Sequence, residues 1–123
     1  MNFKFTIIND ILEQFSSLKE KVGNLSETNY ELGLEHLNNG RIWEALSRFK
    51  ITTFFWPNNY KALYQYGYCL LLMNRLEKAK IVLAKITVEH PKYKEATRLL
   101  SAIENQEFDK IYEEYKEKIS KSI

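Results

Sequence analysis

The chain has 123 residues, of which 45% are apolar and 28% charged, a composition typical of one globular domain and not of a disordered chain. Its 18 basic and 16 acidic residues nearly cancel, which argues against a nucleic-acid-binding surface. One cysteine, Cys69, excludes an internal disulfide. No stretch approaches the ~18 apolar residues of a membrane span or the apolar run of a signal peptide, so we expect a soluble, cytoplasmic protein.

The first predicted element is an amphipathic helix over about residues 5–22. Its apolar residues recur at spacings of 3 and 4, which places them in one seam: Ile8, Ile11, Phe15, Leu18 and Val22. A turn at residues 23–24 is predicted to end this helix. A new helix is then expected to begin at Thr28, with Glu31 completing a capping box.

Further helices are predicted in chain order, with no strand-like alternation between them, over about residues 28–39, 41–54, 58–73, 75–88 and 92–119. Gly40 and Asn74 are the predicted turn residues, because both tolerate the positive φ of a helix C-terminus. Pro57 and Pro91 are expected to end the helices before them. Asn105 is a candidate position for a break in the last stretch.

An internal repeat underlies this order. Three pairs of identical residues lie 34 positions apart (91 − 57, 67 − 33, 79 − 45): Pro57 and Pro91, Gly33 and Gly67, Ala45 and Ala79. A glycine within a helix costs about 1 kcal/mol relative to alanine, so Gly33 and Gly67 predict a close approach of neighbouring helices. Ala45 and Ala79 are expected to allow the same approach from the second helix of each pair.

The order and period of these residues resemble the tetratricopeptide repeat, a helix–turn–helix unit of 34 residues. The resemblance implies an all-α superhelix of antiparallel helix pairs. Its expected divisions are an N-terminal flanking helix (1–25), repeat one (26–57), repeat two (58–91) and a C-terminal capping helix with an extension (92–123). A third repeat is not expected to complete, because the shift of 34 puts Glu113 where alanine belongs.

The resemblance further implies a concave groove lined by the first helix of each pair. By register, its candidate contacts are Tyr30, Leu34 and Leu37 in repeat one and Tyr64, Tyr68 and Leu71 in repeat two. In the alternative interpretation, these tyrosines pack against the capping helix or the N-terminal helix. The positions that bind a peptide carboxylate in some family members carry no cation here: Tyr30, Leu34, Gln65, Glu95 and Leu99. The groove is therefore expected to take an apolar or helical segment.

A second surface is predicted on the second helix of repeat one. Large aromatic residues occupy outward positions that the family usually fills with acidic residues: Trp43, Phe54 and Trp56. Phe55 is expected in the core. The N-terminal seam has two open interpretations, since it could pack on the flank of repeat one or mediate a homodimer or partner contact.

The leading functional hypothesis is therefore a protein–protein interaction module, an adaptor or chaperone, that binds a segment of another protein in its groove. The alternative is a structural assembly protein that homo-oligomerises through the N-terminal helix and the Trp43/Phe54/Trp56 surface. An enzyme, a cofactor and a metal site are not expected, because His36 and His90 lie in different units and no phosphate loop is present.

Overall fold

The computed structural model describes residues 3–121, apart from the side-chain environments of residues 19, 22 and 23. No strand occurs within this range, which confirms the all-α prediction. The described residues form six helices: α1 (Phe3–Asn38), α2 (Ile42–Phe55), α3 (Tyr60–Leu72), α4 (Leu76–Leu83), α5 (Tyr93–Glu104) and α6 (Phe108–Lys121). Consecutive helices pack against each other. Across the described residues, no helix has both the length and the apolar character that crossing a bilayer requires.

Three helical hairpins close with the same turn. The backbone N–H groups of Arg41, Arg75 and Glu107 each donate to the carbonyl five residues earlier, at 2.9, 2.8 and 2.7 Å. The residue before each donor has a positive φ: Gly40 (78°), Asn74 (61°) and Gln106 (57°). This is the Schellman arrangement, in which a left-handed residue lets the chain satisfy the last carbonyls of a helix. The turns predicted at Gly40 and Asn74 are confirmed, as is a break near Asn105.

The predicted capping helix is in fact a third hairpin, α5–α6. Its turn follows the second turn after 32 residues (106 − 74), whereas the second follows the first after 34 (74 − 40). The shift of 34 wrongly placed Glu113 at the alanine position. The shift of 32 instead aligns Ala79 with Ile111 and Gly67 with Leu99, both of which are buried. The third unit is two residues shorter than the second, so a constant shift of 34 residues does not detect it.

Close approach of the first two helix pairs depends on their glycines. A Cβ added at Gly33 would lie 2.6 Å from a ring carbon of Phe49, and one added at Gly67 would lie 2.5 Å from Leu83. Real Cβ atoms do not come this close to other heavy atoms, so no larger residue fits without movement of its neighbour. The close approach predicted from the repeat is therefore confirmed in hairpins one and two.

The third hairpin lacks this small-residue contact. Leu99 and Ile111 stand where the first two hairpins have a glycine and an alanine, and bulky residues hold neighbouring helices further apart. Helix α6 also contacts α3 and the end of α1.

Two predicted helix boundaries are wrong. The turn expected at residues 23–24 does not form, and α1 runs through these positions as a single helix of 36 residues. One glycine costs a helix only about 1 kcal/mol, and the Asn29 side chain donates to the Leu25 carbonyl at 2.9 Å within the same helix. Helix α4 ends at Leu83 and not near residue 88, where the β-branched residues 86–88 disfavour helix.

Candidate functional site

The six predicted groove residues occupy two different environments. Tyr30, Leu34, Tyr64 and Tyr68 are half-buried and remain at the surface. Leu37 and Leu71, by contrast, are 5% and 1% exposed and belong to the hydrophobic core. Their assignment as direct contacts is corrected, because a partner could reach neither side chain without opening the core.

Helix α6 forms one wall of the groove. The Tyr115 hydroxyl donates to the carbonyl oxygen of Leu37 at 2.7 Å, which fixes α6 to the end of α1. The Tyr115 ring also meets the Tyr68 ring edge-on, with centroids 6.3 Å apart. The alternative interpretation of the tyrosines, packing against the C-terminal helix, is therefore correct for Tyr68.

An open cavity of about 680 Å³ remains between α1, α3, α5 and α6. Tyr64 and Tyr68 lie along it with nearly parallel rings, 6.2 Å apart. Gln65 also lines it, and among the described residues nothing donates a hydrogen bond to its buried Oε1 atom. An unpaired buried acceptor is unfavourable in the free protein, and a donor on a bound molecule would reach this atom only after the Gln65 side chain turned towards the cavity.

Charged side chains surround the apolar part of the cavity: Lys92, Glu95, Arg98, Glu114 and Lys118. The Arg98 guanidinium contacts the Glu114 carboxylate at 3.1 Å, across the gap between α5 and α6. The Lys92 ammonium lies 5.4 Å from the centre of the Tyr64 ring, in cation–π geometry. The cavity therefore combines an aromatic surface with a polar rim, as interaction sites commonly do.

The tyrosine hydroxyls of the groove stay protonated near neutral pH. Burial raises the pKa of Tyr64 and of Tyr68, and the nearby Arg98 only partly offsets this for Tyr64. Burial likewise raises the pKa of Tyr30, while a hydrogen bond with the Gln65 side chain lowers it. Each hydroxyl can consequently donate a hydrogen bond to a partner.

Sequence reasoning missed α6 as a groove wall, together with the charged rim. A signal was present, since apolar residues of α6 recur at spacings of 3, 4 and 4: Phe108, Ile111, Tyr115 and Ile119. That spacing indicates a packing face, but the shortened third unit obscured which neighbour it would meet.

The predicted second surface is not continuous. Trp43 and Phe54 are 11 residues apart on α2, or roughly 16 Å along its axis. The Trp43 ring lies instead 5.3 Å from the guanidinium of Arg75. Trp56 is half-buried, and its ring is 5.9 Å from that of Phe55.

Phe55 is 64% exposed, so its predicted core position is wrong. It is the last residue of α2, and α3 does not begin until Tyr60. Phe54 is 77% exposed and packs edge-on against Phe55 at 5.0 Å. The exposed aromatic patch is thus Phe54–Phe55, at one end of α2.

The N-terminal seam does not pack on the flank of repeat one. Its four described side chains are 54–66% exposed: Ile8, Ile11, Phe15 and Leu18. The fifth predicted member, Val22, lies outside the described side chains. The self-packing interpretation is therefore wrong, because α1 continues as one helix beyond the end of α2 and its first half does not fold back onto repeat one.

The residues considered for catalysis or metal binding have structural contacts. His36 Nδ1 accepts a hydrogen bond from Arg41 Nε at 2.9 Å, and His90 stacks on Tyr60 at 4.9 Å. Burial raises the pKa of the Cys69 thiol to about 12, which suppresses its reactive thiolate. Within residues 3–121, no group of three or more His, Cys, Asp or Glu residues is arranged to hold a metal ion.

Comparison with known proteins agrees with this architecture. The family model described as tetratricopeptide repeat matches residues 40–103, which is 64 of the 123 residues (103 − 40 + 1). Searches of curated proteins and of solved structures returned no match.

Proposed function

Because the chain belongs to the tetratricopeptide-repeat family, a fold of protein-interaction modules, we propose that it is an adaptor or chaperone that binds a segment of another protein. The segment docks in the cavity between α1, α3, α5 and α6. It is apolar or helical, and its apolar side chains contact Tyr64, Tyr68 and Leu34.

The observation that carries this proposal is the unpaired Gln65 oxygen beside the stacked tyrosines. Leaving a buried acceptor unpaired costs about 1–3 kcal/mol, and a donor on the docked segment would remove that cost once the Gln65 side chain turned towards it. Tyrosine offers a large apolar area and a hydroxyl with few rotatable bonds, so ordering it on binding costs little entropy. The three side chains therefore favour a partner with both apolar and hydrogen-bonding groups.

The size of the cavity limits what can enter. At about 680 Å³ it is comparable to a small-ligand pocket and much smaller than a whole helix. Because α6 closes one side, a docked segment would insert a few anchor side chains and leave the rest of its surface on the charged rim. Such anchors at helical spacing are the usual mode of helix-in-groove recognition.

The test is a binding measurement on a partner first identified by affinity capture and mass spectrometry. Calorimetry with the purified partner segment should show at least tenfold weaker binding by Tyr64→Ala, since central aromatic contacts dominate interface energies. Tyr112→Ala is the matched control, because Tyr112 is an exposed tyrosine of α6 outside the cavity lining.

Tyr64 is half-buried, so its truncation can also disturb the fold. A second variant at an exposed position distinguishes weaker docking from a disturbed fold. Lys118→Glu reverses a charge at the exposed rim and should change both the affinity and its dependence on salt. Wild-type affinity in both variants, with helical content unchanged by circular dichroism, would refute docking in this cavity.

The uncovered apolar seam of α1 favours a second candidate function, structural assembly. It involves a different surface from the cavity. The two functions can therefore coexist, and either can be removed without the other.

A further inference from the structure

The exposed seam of α1 lies on the same side of the helix as the surface that α2 covers. Eighteen residues make five full helical turns, so Ile11 and Asn29 point the same way, as do Phe15 and Gly33 (29 − 11, 33 − 15). Asn29 Oδ1 accepts a hydrogen bond from Arg48 of α2 at 3.0 Å. The seam is therefore the α2-binding face of α1, continued beyond the point where α2 ends.

That point can be located along α1. Helix α2 runs antiparallel to α1, with Arg48 beside Asn29 and Phe49 against Gly33. Counting onward to Phe55 puts the end of α2 opposite α1 residues of about 22 to 27 (29 − 7, 33 − 6). From there to Phe3 the helix extends roughly 30 Å, with its apolar face uncovered.

We infer that this face is occupied by the α1 helix of a second copy of the chain, packed antiparallel about a twofold axis near residue 13. Ile8 then faces Leu18 of the second copy, and Ile11 faces its Phe15 (8 + 18 = 11 + 15). The spacing of 3, 4 and 3 among Ile8, Ile11, Phe15 and Leu18 reads the same in both directions, so an antiparallel copy matches each of these four residues with another of them.

The orientation follows from the position of α2. In a parallel, in-register pair, the second α1 would lie along the same face of the first α1 over its whole length. It would then overlap α2, which occupies that face where Arg48 contacts Asn29 and Phe49 contacts Gly33. In the antiparallel pair, it begins near residue 23 of the first copy and runs away from the end of α2. The two bodies then lie at opposite ends and do not collide.

The same arrangement covers the aromatic residues at both ends of the exposed region. Phe3 and Phe5, near the tip of α1, are 77% and 61% exposed. They are two residues apart and therefore point about 200° apart around the helix, with Phe5 beside the flank of the seam that Leu12 also occupies and Phe3 on the other side. With the axis near residue 13, Phe5 comes opposite residue 21 of the second copy (26 − 5), close to its Phe54–Phe55 patch. One occupant therefore accounts for the seam, Phe5 and the patch together.

The area is adequate for a stable dimer. The side chains proposed for the interface are the four described seam residues, Phe5 and the two of the patch, and each is more than half exposed. At about 100 Å² each, well below the full area of an aromatic side chain, these seven offer about 700 Å² per copy. This is the standard size for one side of a specific protein–protein interface.

The dimer goes beyond the groove function and does not depend on it. The cavity is formed by the other end of α1, around Leu34 to Asn38, and stays open when the seams pair. The groove variant Tyr64→Ala should therefore leave the dimer unchanged, so the failure of one proposal can be told from the failure of the other.

The first test is the molar mass of the full chain by sedimentation equilibrium near 100 µM. The wild type should show twice the chain mass of 14.7 kDa, and Ile11→Asp should show the chain mass alone. Ile81→Asp is the matched control, since Ile81 is an exposed isoleucine of α4 and its variant should remain dimeric. A monomeric wild type, or a dimeric Ile11→Asp, would overturn the proposal; the first result would assign the seam to a different protein.

The second test fixes the orientation by oxidative crosslinking. An antiparallel pair brings position 11 next to position 15 of the other copy, so a mixture of the Ile11→Cys and Phe15→Cys proteins should form a crosslinked dimer. Either protein alone should form little, and the native Cys69 is buried and does not interfere. Efficient crosslinking of Ile11→Cys with itself would show a parallel pair and overturn the arrangement.

Discussion

The two halves of α1 differ in their surroundings, although both carry apolar residues at helical spacing. In the second half, Leu37 is buried by neighbouring helices, and Gly33 receives the Phe49 ring. In the first half, Ile11 and Phe15 point in the direction of the same face but are more than half exposed. The difference teaches that apolar spacing identifies the face of a helix that needs a neighbour, and not whether the same chain supplies it.

The largest expected effect compares Phe49, which packs on the covered half of α1, with Phe15, which lies in the uncovered half. Phe49→Ala should lower the free energy of unfolding by about 3–5 kcal/mol, because Phe49 is fully buried against Gly33 and truncation leaves a cavity. Phe15→Ala should change it by less than about 0.5 kcal/mol in the monomer. Urea denaturation, at protein concentrations too low for dimers to form, measures both free energies of unfolding. Similar losses in the two variants would contradict the exposure of the seam.

A smaller effect is expected at the close contact between α3 and α4. Gly67→Ala should lower stability by about 1–3 kcal/mol, because the new methyl group would overlap Leu83, despite the better helix propensity of alanine. Ser101→Ala is the control, since Ser101 is exposed and matches Gly67 only under the shift of 34. An equal loss in the control would show that the third hairpin follows the 34-residue register after all.

The smallest effect concerns the hydrogen bond that fixes α6. Tyr115→Phe should lower stability at pH 7 by about 0.5–1.5 kcal/mol, since the hydroxyl donates to Leu37 in a buried position. Its pKa is raised by burial from 10.0 to about 12, so the folded state holds this proton more tightly than the unfolded state. The contribution of Tyr115 to stability should therefore be complete below pH 10 and be lost as the pH rises towards 12.

Denaturation at several alkaline pH values separates this contribution from that of Cys69, which titrates in the same direction from a lower starting value. The loss between pH 10 and 12 should be smaller in Tyr115→Phe than in the wild type. An unchanged pH profile would mean that the Tyr115 hydroxyl is not buried against Leu37 in solution.

Local signals in the sequence predicted most of the fold. Gly40 and Asn74 were identified as turn residues because a positive φ suits few residue types. Gly33 and Gly67 were identified as contact positions because a glycine within a helix needs a compensating reason. The predicted break at residues 23–24 failed for the converse reason, since a single glycine is a weak helix breaker when good helix formers flank it.

The candidate site was predicted only in part. The register of the repeat places Tyr64 and Tyr68 at the groove, but it does not place α6, whose position depends on its contacts with α3 and with the end of α1. The cations of the rim depend on the position of the third hairpin, since Lys118 belongs to α6 and Lys92 precedes α5.

By itself, the sequence determined the helices, two of the three hairpin turns and the faces that need covering, since these depend on the spacing and conformational limits of nearby residues. Only the tertiary structure decided which faces are covered, because that depends on contacts between residues far apart in the chain. Tyr115 reaches Leu37 across 78 positions, while the seam of α1 finds no neighbour within the described chain.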